Sequence, residues 1–134
     1  MHKPEIYYEI HGSSENKNTL VLVMGFTASL TWWPREFIET LSESFQVITI
    51  DNRGIAKSPR GKAAYNMSTL ASDISSILDY LKIKKVDLLG VSMGGMIAQE
   101  FTLMFPERVK KLMLFSTSAG IKINRELSKH HISA

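Results

Sequence analysis

Apolar positions along this chain fall into short blocks of two kinds, continuous runs and helically spaced stripes. Residues 5–11 alternate about Ile6, Tyr8 and Ile10, which predicts a half-exposed strand. Thr19 to Met24 is an uninterrupted aliphatic run, the pattern of a strand buried on both faces. Pro34 fits the first turn of a helix running to about Ser44, with Phe37, Ile38 and Leu41 at helical spacing. Phe45 to Ile50, rich in β-branched residues, predicts the third strand. Ser68 is the expected cap of a second helix, whose stripe runs through Leu70, Ile74, Ile77, Leu78 and Leu81. Val86 to Val91 predicts a fourth strand, Gly94 to Phe105 a helix ended by Pro106, and Val109 to Phe115 a fifth strand. The polar or Gly- and Pro-containing segments 12–18, 26–33 and 52–66 read as loops, and 121–134 carries weak, mixed signals.

This alternation of strand and helix predicts an α/β fold, a mostly parallel sheet with helices on both faces. Ligands of such sheets bind beyond the carboxyl ends of the strands. Here those ends carry Gly25-Phe26, Asp51-Asn52-Arg53, Ser92-Met93 and Ser116-Thr117, so four segments are expected to converge on one edge.

Composition narrows the classes of function. A length of 134 residues with 44% hydrophobic and 22% charged content suits one soluble domain. The net charge of +3 is mild, and Lys84-Lys85 and Lys110-Lys111 read as solvated entries to strands rather than a nucleic-acid stripe. With no cysteine, disulfides, thiolate metal sites and a cysteine nucleophile are excluded. No metal constellation or cofactor motif is apparent. Residues 1–5 lack the apolar region of a signal peptide, and the run Leu20 to Met24 falls far short of the ~20 residues needed to span a bilayer. The expected location is therefore cytoplasmic.

The chemistry centres on Gly90-Val91-Ser92-Met93-Gly94, placed between a predicted strand and a predicted helix. Such a Gly-x-Ser-x-Gly is a nucleophile elbow, which lifts the serine hydroxyl clear of the sheet. It also leaves the Met93 backbone N–H at a helix start, where it can stabilise the oxyanion of a tetrahedral intermediate. A second donor is expected from the loop after the strand ending at Met24, which makes the Phe26 N–H the candidate. Serine needs a base as well as a position.

Three segments carry a resemblance to a known family: Met24-Gly25-Phe26-Thr27-Ala28-Ser29, Asp51-Asn52-Arg53-Gly54-Ile55-Ala56-Lys57-Ser58, and Gly90-Val91-Ser92-Met93-Gly94-Gly95. Their order and spacing, with Phe105-Pro106-Glu107-Arg108-Val109 leading into the next strand, resemble the N-terminal half of an α/β-hydrolase fold enzyme. The likeness covers nearly all of residues 5–120 and is closest to small esterases, lactonases and carboxymethyl-ester hydrolases. It implies Ser92 as nucleophile of a carboxylic ester or lactone hydrolase, an acyl-serine intermediate, and the Phe26 and Met93 amides as oxyanion hole. It implies a structural turn for residues 51–58. Met24 stands where many relatives have histidine, and Ala56 where glycine is usual; both departures look tolerable.

The resemblance divides the chain into a core, 1–120, and a tail or start of a lid, 121–134. It implies a truncated α/β-hydrolase fold lacking the lid and the C-terminal strands, which in the family deliver the acid and the histidine. His2 and His11 lie near the first strand, far from the expected site, while His130 and His131 lie in the tail as candidate substitute bases. Asp51 is expected to hydrogen-bond its own turn. Trp32-Trp33 reads either as a wall of an acyl pocket or as a packed aromatic pair. Gly94 and Gly95 are expected to admit a close helix approach rather than a phosphate. The strand 109–115 is expected to be a bare apolar edge, open to a second copy or to a C-terminal half. The alternative function is accordingly an inactive hydrolase remnant that binds or self-associates.

Overall fold

The computed structural model describes residues 2–25 and 27–115, together with the strand Ile132–Ser133. The strands are β1 (Tyr8–His11), β2 (Asn18–Val23), β3 (Phe45–Ile50), β4 (Val86–Val91), β5 (Val109–Phe115) and β6 (Ile132–Ser133). The helices are α1 (Arg35–Ser42), α2 (Met67–Tyr80) and α3 (Met93–Met104), with short 3-10 turns at Leu30–Trp32 and Pro106–Arg108. They build one sheet in the order β1-β3-β2-β4-β5-β6. β1 runs antiparallel to β3, and every other pairing is parallel.

Residue alternation sorts the aliphatic runs onto two faces. Val21, Val23, Ile48, Ile50, Val86, Leu88 and Leu112 pack with Leu70, Ile74, Ile77 and Leu78 of α2 and with Ile97, Ala98 and Phe101 of α3. Leu20, Leu22, Val47 and Leu89 point the other way, against Ile38 of α1 and the Leu30 and Trp33 side chains. Both sides of β2 are thus buried, as its unbroken run predicted. No helix of the described residues is long and apolar enough to cross a membrane.

The structure departs from the sequence reading at three places. The cap of α2 is Asn66, whose side chain accepts the Thr69 N–H at 2.8 Å. Ser68 lies inside the first turn, its hydroxyl directed to Glu100 on α3 at 3.3 Å. β5 is not a bare edge, because β6 adds to it in parallel at Leu112 and Met113. The Trp32-Trp33 pair is split: Trp32 is 66% exposed, while Trp33 is buried and stacks on Phe37 with centroids 5.9 Å apart.

The loop after β3 is fastened to the sheet and to α2. Arg53 grips Asp73 with Nε–Oδ2 at 3.0 Å and Nη2–Oδ1 at 2.7 Å. That hydrogen-bonded carboxylate raises the arginine's pKa further, against the opposing effect of burial. The Ser58 hydroxyl donates to the Asp51 carbonyl and accepts from the Tyr7 N–H, closing the turn onto the chain before β1.

Ala56 in this turn has φ +45°, in the left-handed region that L-residues enter at a cost of about 1–2 kcal/mol. The place of a usual glycine is therefore filled at some expense in stability. Ala56→Gly should raise the unfolding free energy by about 1 kcal/mol, read by urea denaturation. A loss of stability would show that the loop does not need this backbone conformation.

Candidate active site

Ser92 sits between the end of β4 and the first residue of α3, with φ +55° and ψ −124°. A serine rarely adopts such a backbone, and glycines two residues to either side make it attainable. A Cβ on Gly90 would overlap the Gly94 carbonyl oxygen and lie 2.6 Å from the Gly95 Cα. A Cβ on Gly94 would overlap the Val23 carbonyl oxygen and lie 2.7 Å from that of Met24. Strand β4 can therefore turn into α3 within one residue while α3 rests on the end of β2.

Two hydrogen bonds fix the serine backbone. Its N–H donates to the Phe115 carbonyl at 3.0 Å, tying it to the end of β5, and its carbonyl accepts from the Gly95 N–H at 2.9 Å. The side chain is left exposed at the tip. Met93 is the first residue of α3, so its N–H belongs to the first turn, where no helical carbonyl is available and the helix dipole is positive.

The loop after β2 comes against this tip. A Cβ on Gly25 would lie 3.2 Å from the Ser92 Cβ and 3.6 Å from its Oγ, so only glycine leaves that space open. The Ala28 N–H closes a turn onto the Gly25 carbonyl at 3.3 Å. Phe26, the expected second oxyanion donor, lies outside the described residues, as do His130, His131 and Ser116-Thr117.

Asp51 reaches further than its own turn. One carboxylate oxygen accepts from the Leu30 N–H at 2.8 Å and the Ser29 hydroxyl at 3.0 Å, the other from the Lys57 N–H at 3.2 Å. Its neighbour Asn52 donates to the Met24 carbonyl at 3.1 Å. Sequence reasoning missed both links between the loops; the signal was a polar pair at the carboxyl end of a buried strand. His11, by contrast, pairs with Val47 in the register, at the opposite end of β3 from Asp51, and so stands away from the site edge.

Among the described residues no side chain hydrogen-bonds to the Ser92 hydroxyl, and no group of three His, Asp or Glu could hold a metal. A cavity of about 360 Å³ lies between β1, β3 and α1, lined by Leu30, Trp33, Ile38 and Thr49 among others. None of residues 90–95 lines it.

The family model of the alpha/beta hydrolase fold matches residues 18–131. This chain belongs to that family. It is 34% identical over 120 residues to a Bacillus subtilis protein provisionally named 2-succinyl-6-hydroxy-2,4-cyclohexadiene-1-carboxylate synthase, covering 87% of this chain and 43% of that one. It is 42% identical over 84 residues to a poly(3-hydroxyalkanoate) depolymerase of Ectopseudomonas oleovorans, covering 63% and 30%. The crystal structure of an enol-lactonase from Burkholderia xenovorans superposes with a TM-score of 0.79 at 28% identity, over 84% of this chain and 44% of that one. The chain thus spans less than half the length of these family members.

The close approach at Gly94 gives a direct test of how α3 sits on β2. Gly94→Ala places a methyl group against two backbone carbonyls that cannot rotate away, and should cost about 3 kcal/mol or more of stability. Unchanged thermal unfolding would mean that α3 does not rest on β2 in this way.

Proposed function

We propose that this chain carries the nucleophile of a serine hydrolase acting on small carboxylic esters or lactones. The observation that supports this best is Ser92 itself, exposed at φ +55° on the strand-to-helix turn and facing the Gly25 loop. Names of family members, among them a depolymerase and an enol-lactonase, favour ester and lactone carbonyls as the substrate class.

In this reading the Ser92 oxygen attacks the carbonyl carbon as its proton passes to a base. The carbonyl π electrons move onto oxygen, and the Met93 and Phe26 amides donate hydrogen bonds to that oxyanion. Collapse expels the alkoxide, which takes the proton and leaves an acyl-serine; water then repeats the sequence and frees the acid. The base and its orienting acid come from outside the described residues. Their contribution is large, since removing the histidine of such a triad costs on the order of 10⁶ in kcat. The oxyanion hole and binding alone retain about 10³–10⁴ over water.

A second reading, a self-associating or inactive module, draws on the short outer strand. Among the described residues β6 pairs with Leu112 and Met113 of β5, and Phe115 at the end of β5 is 46% exposed. It differs in outcome, predicting concentration-dependent dimers by sedimentation and no chemistry at Ser92.

A fluorophosphonate probe, followed by peptide mapping, separates the two. The expected result is one adduct, on Ser92, absent from Ser92→Ala and formed faster when the C-terminal half of a homologous hydrolase is added. No adduct under either condition would overturn the hydrolase proposal.

A further inference from the structure

Adjacent side chains at the end of β3 hold the two ends of a turn that faces Ser92. On one side, Asn52 donates to the carbonyl of Met24, immediately before Gly25. On the other, a single Asp51 oxygen accepts from the Ser29 hydroxyl and the Leu30 N–H, immediately after Ala28. Asp51 is 1% exposed and Asn52 is 3% exposed, so water does not compete for these bonds.

The turn between the anchors is one that does not hold itself. Thr27 has φ +64°, a conformation unfavourable for a β-branched residue, and the closing Ala28–Gly25 bond is long at 3.3 Å. Gly25 at its start packs directly on Ser92. Release of either anchor would let the turn relax away from the serine.

We propose that Asp51 and Asn52 are a positioning pair, which holds Gly25 against Ser92 and so sets the edge of the site that receives the oxyanion. Neither touches substrate. A purely local role for Asp51 needs only the oxygen that accepts from Lys57; its other oxygen serves the opposing loop alone. This inference rests on Ser92 being the nucleophile, so its test includes a readout that does not.

The experiment compares Asn52→Leu and Asp51→Asn with Ser58→Ala in the full chain. Ser58 bonds the same β3 turn and Tyr7 without reaching the 24–30 loop, and serves as the stability control. In the first two variants, exchange of the Leu30 amide should quicken about tenfold or more. The maximal rate of phosphonylation of Ser92 should fall about 10–100-fold, with the half-saturating probe concentration unchanged within about twofold. Ser58→Ala should lower the Tm while leaving the Leu30 amide and the phosphonylation rate near wild type. Rates that follow Tm across all three variants, or an unmoved Leu30 amide, would overturn the pair. If the wild-type serine is never labelled, the hydrolase reading fails and the exchange data alone decide whether the anchors hold the turn.

Discussion

Everything at this site depends on one backbone conformation, the positive φ of Ser92. A non-glycine residue held there costs on the order of 1–3 kcal/mol and persists only where the surroundings leave no alternative. Here the surroundings are the paired strands β2 and β4, with Val23 opposite Gly90, and the α3 helix lying across their ends. Ile97, Ala98 and Phe101 of α3 are fully buried in the main core. Their burial holds the helix down, the helix holds the turn, and the missing side chains of Gly90 and Gly94 let the two approach. Packing below the sheet edge thereby supports strain above it.

The other strand ends are connected to this one rather than merely near it. Ser92 is bonded to the end of β5 through Phe115, and Gly25 rests against Ser92 from the end of β2. The end of β3 is bonded across to the Gly25 loop on both sides, and the turn beyond it is anchored to α2 by the Arg53–Asp73 pair. Buried polar side chains are costly unless matched, so a matched set at one end of the sheet narrows the arrangements the loops can take. The opposite end of β3 lies beside His11 at β1, away from the sheet edge that carries Ser92.

The core strands were legible because buried parallel strands read as unbroken aliphatic runs; Phe45–Ile50, Val86–Val91 and Val109–Phe115 appear with the expected bounds. The start of α2 was ambiguous, since Asn66 and Ser68 are both good caps. What decides is that Ser68 turns to Glu100, thirty-two residues away. β6 was invisible, a two-residue strand defined by its neighbour rather than by its own pattern. At the site, Ser92 and Met93 were legible as a strand-to-helix turn because Gly-x-Ser-x-Gly is a local pattern. Asp51 and Asn52 were not, because their partners lie 21 to 28 residues away and only the folded sheet brings them together. Ala56 looked harmless in sequence and is strained in structure, since a residue's identity does not reveal its φ.

The most direct test of the account is the covalent step. The chain would be mixed with an activated phenyl ester, quenched in acid within the first turnovers, and mapped by peptide mass spectrometry. The account predicts an acyl group on the Ser92 peptide and none on that peptide in Ser92→Ala. An acyl group carried only by surface lysines, or none on Ser92 even with a complementary half-domain present, would contradict it.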